Sequence, residues 1–163
     1  MNAIDLLIEQ HMEVKSLFVE IDQVDDDDDE KQALFDELAD NLVAHATIEE
    51  RIFYPAAYAD GTKERLCDAV EEHVAIKRVI DDLLGMMPDD TEFDTRLDAL
   101  AAQVERHFAE EERELFEAVR QELGAEELDA LGEQMQKLFE REMGDEPSLT
   151  VPEQISATPP QSR

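Results

Sequence analysis

Apolar residues along this chain recur at steps of three and four, the spacing of one helix face, and nowhere alternate with a period of two over a useful length. Ile4, Leu7, Ile8, Met12, Val14, Leu17, Phe18 and Ile21 predict a helix over residues 3–23, with Asn2 as its N-cap. The aspartates at 25–29 repel one another and read as an extended, solvated link. A calcium loop is the lesser reading there, because the run carries no glycine. Leu34, Leu38, Leu42, His45, Glu49 and Ile52 share a stripe that predicts a second helix over 31–54, disturbed at Pro55.

A third helix is capped by Thr62 and runs to about residue 87, with Leu66, Val70, His73, Ile76, Val79, Ile80 and Leu83 inward. After a turn at 88–91, Phe93, Leu97, Leu100, Val104, His107, Glu111, Leu115 and Val119 predict a fourth helix over 92–123, stopped by Gly124. A shorter amphipathic helix follows over 125–143, carrying Leu128, Leu131, Met135, Leu138 and Phe139. Long amphipathic helices joined by short turns bury their stripes most simply as an all-α, antiparallel up-and-down four-helix bundle, with the additional short C-terminal helix packed across or beside it. Residues 1–143 then form one domain, and the proline-rich residues 144–163 a disordered tail.

Composition narrows the partners. A net charge of −30 over 163 residues excludes a nucleic-acid partner, whose phosphates require a basic face, and an anionic membrane surface. No stretch is apolar for long enough to span a bilayer, and no basic segment precedes an apolar run at the N-terminus, so a soluble, cytoplasmic protein is expected. The single cysteine, Cys67, fits a reducing compartment and reads as a small buried hydrophobe.

The polar residues on the inward stripes carry the chemistry. His45-Ala-Thr-Ile-Glu49-Glu-Arg51 and His107-Phe-Ala-Glu-Glu111-Glu-Arg113 are offset by 62 residues, as are His11 and His73, and no histidine lies outside this repeat. Residues four apart stand one helical turn apart on one face, so His45 projects with Glu49 and His107 with Glu111. Taken singly, each histidine reads as a core residue and each glutamate as a solvated helix former. Together, four imidazoles and two inward carboxylates suit two neighbouring metal ions, because buried carboxylates are costly without a cation. Imidazole and carboxylate without thiolate point to iron or manganese before a zinc structural site.

Glu50 and Glu112 read as surface residues paired with arginines. Lys15 and Lys77 either pair with acids near the site or extend outward. Phe53, Phe108 and Phe116 read as an apolar shell that limits solvent access.

The ordered set His11, His45-x-x-x-Glu49, His73, His107-x-x-x-Glu111 resembles the hemerythrin-like, or HHE cation-binding, domain over about residues 1–143. The resemblance implies a four-helix bundle holding two iron ions, a non-haem di-iron centre bridged by the two glutamates and an oxo or hydroxo group. Two departures separate this chain from the oxygen carriers of that family. Lys77 stands where they have a second third-helix histidine, and Glu111 comes four residues after His107 where they use an aspartate at five. The pattern is closer to the non-carrier hemerythrin-like proteins of bacteria, some with catalase-like chemistry. In some relatives a tyrosine near Tyr54 approaches the iron. Regular helix geometry directs Tyr54 away from His45, so a role beside the metal and simple packing both stay open.

The expected function is therefore a di-iron protein that reacts with or senses oxygen-derived small molecules (peroxide, dioxygen or nitric oxide). The alternative is a non-catalytic module that binds, stores or senses iron through a protein partner. The sequence leaves the oligomeric state open.

Overall fold

The computed structural model describes residues 1–145, so the expected tail falls, apart from residues 144 and 145, outside the described residues. Every regular element among them is helical. They are α1 (Ala3–Gln23), α2 (Asp28–Ile48), α3 (Tyr54–Ala57), α4 (Lys63–Leu84), α5 (Thr91–Glu110), α6 (Phe116–Glu122) and α7 (Ala125–Asp145). A π-helical turn, Glu49–Phe53, joins α2 to α3, and a second, Glu111–Leu115, joins α5 to α6. The chain forms the expected four-helix bundle, α1, α2–α3, α4 and α5–α6, with α7 laid against α1 and α2.

Local chemistry sets the helix starts. The Asn2 side chain accepts the Asp5 N–H at 2.9 Å, and Asp90 caps α5 by accepting the Glu92 N–H at 2.9 Å. The acidic link is shorter than expected. Asp27 caps α2 through the Glu30 N–H at 3.0 Å, and Asp28 and Asp29 enter its first turn, where negative charge complements the helix dipole. Thr62 stands at the N-cap of α4, but its hydroxyl donates to the Ala57 carbonyl at 2.7 Å and accepts the Ala59 N–H at 2.9 Å. It closes the preceding turn instead of capping the helix ahead.

Pro55 does not end the second helix. The π turn hands the Tyr54 N–H to the Glu49 carbonyl, and Pro55 follows in the first turn of α3, where a missing N–H costs nothing.

Two apolar clusters fill the bundle. One joins Ile4 and Leu7 to Phe53, Phe116 and the inner face of α7, including Met135; the other joins Leu17, Phe35, Leu83, Phe93 and Phe108. The histidines, one each on α1, α2, α4 and α5, fall where the two clusters meet, His11 between Leu7 and Val14 and His73 between Ala69 and Ile76. Gly132 brings α7 onto the chain start: a Cβ there would collide with the Met1 carbonyl oxygen.

Three apolar positions differ from the expected pattern. Met12 and Val70 are exposed, and Cys67 is exposed, not buried. Cys67 and Val70 lie on α4, whereas α7 covers α1 and α2. No described helix is long and apolar enough to cross a membrane.

Candidate metal centre

The repeat brings its residues to one level. His11, His45, Glu49, His73, His107 and Glu111 are all buried, none more than 3% exposed. A sealed layer of this polarity between two apolar clusters is unfavourable unless a charge compensates it.

The carboxylates sit between the imidazoles. Glu49 directs Oε2 to His45 Nε2 at 3.4 Å and Oε1 to His73 Nε2 at 3.1 Å. Glu111 Oε1 lies 3.3 Å from His11 Nε2 and 3.6 Å from His107 Nε2. His73 Nε2 and His107 Nε2 stand 3.1 Å apart. Several of these contacts are close without being hydrogen bonds: His11 Nε2, His45 Nε2, Glu49 Oε2 and Glu111 Oε1 are buried with no hydrogen-bond partner. Orphaned donor atoms converging on one point are what a cation site requires.

Two overlapping groups could each hold a metal ion: His11, His45, Glu49 and Glu111, and Glu49, His73, His107 and Glu111, with ligand atoms in each group within 4.8 Å of one another. Both carboxylates belong to both groups.

Sequence reasoning missed the second layer. Each histidine directs Nδ1 outward to a fixed acceptor: His11 to Glu112 at 2.7 Å, His45 to Gln10 at 2.7 Å, His73 to Glu50 at 2.6 Å and His107 to Glu72 at 2.5 Å. Glu50 and Glu112 therefore face histidines, not arginines. Such contacts fix the Nδ1–H tautomer, leaving the Nε2 lone pair free for a metal. The signal was available, since Glu50 and Glu112, and Gln10 and Glu72, also obey the 62-residue offset. Lys77 Nζ approaches Glu50 at 3.8 Å, and Arg65 Nη2 approaches Glu72 at 3.6 Å.

Tyr54 reaches the same cluster. Its hydroxyl donates to Glu111 Oε2 at 2.6 Å and lies 3.1 Å from Glu49 Oε1 and 3.4 Å from His73 Nε2. The wider π turn brings the fifth residue after Glu49 towards the face that Glu49 occupies, which a regular α-turn would not. The second π turn does the same for Phe116. Phe116 stacks on His11 at 5.9 Å as Tyr54 stacks on His73 at 5.6 Å. Phe108 stacks on His11 at 3.7 Å and meets His45 edge-on, and Phe53 packs against Phe116. The expected apolar shell thus covers the His11–His45 side.

Burial and charge work against one another here. Burial disfavours the His73 cation, but Glu49 and Glu50 outweigh it and raise its pKa to about 9. Burial opposes the His11 cation too, and Glu111 and Glu112 raise it. At His45 burial prevails over Glu49 and the pKa falls. Burial opposes ionisation of Glu49, yet His45 and His73 hold it well below the usual carboxylate range. Burial, with Glu49 and Glu111, pushes the Tyr54 phenol well above its ordinary value, so it remains a proton donor. Beside Tyr54 a groove of about 600 Å³ opens to the surface, lined by Glu50, Pro55, Tyr58, Leu66, Cys67 and Val70 among others.

Comparisons with known proteins agree with this arrangement. A crystal structure of a hemerythrin HHE cation binding domain-containing protein from Mycobacterium kansasii superposes with a TM-score of 0.78 at 28% identity, covering 88% of each chain. An uncharacterized protein of Mycobacterium tuberculosis is 26% identical over 148 residues, 88% of this chain and 89% of that one. A DNA nickase of a Nostoc species is 33% identical over 130 residues, 78% of this chain, which spans only 36% of the nickase. The model of the hemerythrin HHE cation binding domain matches residues 2–119, and the chain belongs to that family.

Proposed function

We propose that this protein holds two iron ions in its His–Glu layer and that the loaded centre reacts with or senses small oxygen-derived molecules, with peroxide ahead of dioxygen and nitric oxide. The observation that carries this reading is the sharing of Glu49 and Glu111 between two overlapping donor sets with orphaned, buried ligand atoms. Imidazole and carboxylate donors without thiolate suit iron. A bound iron pair supplies redox chemistry and open coordination positions for small ligands.

The chain's own residues prepare the rest. Glu50, Glu72, Glu112 and Gln10 hold the four imidazoles with Nε2 inward. Tyr54 keeps a proton at its hydroxyl, 2.6 Å from Glu111 Oε2, ready to donate to a bound ligand. Phe108 and Phe116 exclude water from the His11 side, and the groove beside Tyr54 is the approach for a small molecule. The one cysteine fits a reducing cytoplasm.

The net charge of −30 opposes binding to a phosphate backbone, so the nicking activity named for the longer Nostoc relative is not assigned to this chain. A second reading, an iron-binding module that stores or signals without turnover, is favoured by the burial of all six donors. Peroxide consumption separates the two: turnover above that of free iron supports reaction, and turnover at that level supports the module. The primary test is iron per chain with its ferric charge-transfer absorption. Less than about one iron per chain, unchanged in His73→Ala, contradicts the centre altogether.

A further inference from the structure

The two halves of the site repeat so closely that their differences stand out. The offset pairs Glu50 with Glu112 and Lys15 with Lys77, but it pairs Gln10 with Glu72 and Phe116 with Tyr54. Three imidazoles rest on a carboxylate that a cation supports: His73 on Glu50 near Lys77, His107 on Glu72 near Arg65, and His11 on Glu112 in the field of Lys15. The fourth, His45, rests on the neutral amide of Gln10.

Gln10 is 7% exposed, and its Nε2 is buried with no hydrogen-bond partner. An amide offers one acceptor to His45 and leaves its own donor unmet, a cost that a well-matched site avoids. A carboxylate would bond the same Nδ1–H without an orphan donor, and would donate more electron density through the ring to a metal on Nε2. Neutrality at position 10 therefore has a consequence for whatever binds the inner nitrogen.

We propose that Gln10 makes the two metal positions unequal: the one at His73 and His107, backed by two carboxylates and adjoined by Tyr54, fills first, and the one at His11 and His45 is the weaker and fills second. This rests on the two-ion reading above. The weaker position is the side enclosed by Phe108 and Phe116, and the Tyr54 hydroxyl meets His73 on the other side. Gln10 and Glu72 touch no inner donor atom and act through the histidines as positioning residues.

The test is a titration of the metal-free full-length chain with cobalt(II), followed by calorimetry and by visible absorption. Wild-type protein takes up the ion in two resolved steps. His73→Ala abolishes the tighter step, and His11→Ala leaves it while removing the weaker one. Glu72→Gln places an amide behind His107 and loosens the tight step by roughly 10–100-fold, the usual range for an outer partner of a metal-bound histidine. Gln10→Glu tightens the weak step and brings the two together. Glu72 is partly exposed, so the Glu72→Gln arm stands even where a buried Gln10→Glu carboxylate prevents folding, which circular dichroism reports. Two indistinguishable steps in the wild type, or loss of the tight step in His11→Ala, overturns the inequality while leaving a two-ion site intact. Absence of any binding overturns both readings.

Discussion

Tyr54 and Glu111, 57 residues apart, share a 2.6 Å hydrogen bond at the centre of the bundle. That bond holds Glu111 Oε2, while Oε1 faces His11 and His107. Glu49, by contrast, spends one oxygen on His45 and the other on His73. The two carboxylates are therefore not equivalent: Glu111 gives one oxygen to the short Tyr54 bond, whereas Glu49 Oε1 meets the same hydroxyl at 3.1 Å while also facing His73.

Replacing Tyr54 with Phe isolates the hydroxyl, because Phe116 shows that a phenyl ring fits the matching position and stacks on its histidine. Iron content is expected to stay near wild type. The reaction with peroxide is expected to slow and the ferric absorption to shift, as Glu111 loses its donor. Loss of iron from this variant would instead make Tyr54 a necessary ligand.

The groove beside Tyr54 carries the exposed Cys67, the chain's single cysteine, which allows the approach to be plugged chemically. Alkylation with a bulky maleimide should slow azide or peroxide binding to the iron-loaded protein severalfold, and conversion to the small methyl disulfide should not. Equal rates in both would place the approach elsewhere.

Gly132 is expected to be intolerant of even one carbon. A Cβ there collides with the backbone of Met1, Asn2 and Ala3, which cannot yield as a side chain can. Gly132→Ala should cost about 1–3 kcal/mol, by analogy with overpacked cores, and lower the melting temperature by roughly 2–4 °C for each kcal/mol. Iron per chain should hold, since α7 contributes none of the six donors. A thermal scan beside an iron assay checks both.

Much of this arrangement was legible in the sequence, and what escaped did so for physical reasons. Helical periodicity and the 62-residue offset identified the six inner residues, because burial and repetition both mark them. Glu50 and Glu112 looked like solvated glutamates because about a third of each side chain is indeed exposed, 32% and 35%, and an acidic chain hides meaningful carboxylates among ordinary ones. Tyr54 depends on a π turn, a choice among backbone hydrogen bonds that side-chain periodicity does not encode. Cys67 and Val70 obey the stripe of α4, yet α7 packs on the other pair of helices and leaves them open.

Protons and metal should compete for His73. Its folded, metal-free pKa lies near 9 against an ordinary value of 6.5. A metal ion takes the neutral imidazole, so loading near neutral pH should release a proton from this group, and affinity should rise as pH climbs towards 9. In the metal-free protein the sign is reversed. The raised pKa contributes stability that is complete below 6.5 and is lost as pH rises through 9. Proton release on loading, read with a pH indicator, checks the first statement, and melting of metal-free protein across this range checks the second.

Because Glu49 and Glu111 each belong to both donor groups, iron stoichiometry in carboxylate variants tests the central claim most directly. Wild-type protein loaded anaerobically with ferrous iron should hold about two ions per chain, and Glu49→Ala or Glu111→Ala should lose both together, as expected of carboxylates shared in a bundle centre. Wild-type content below about one ion per chain, or content unchanged in these variants, would contradict a shared two-ion centre.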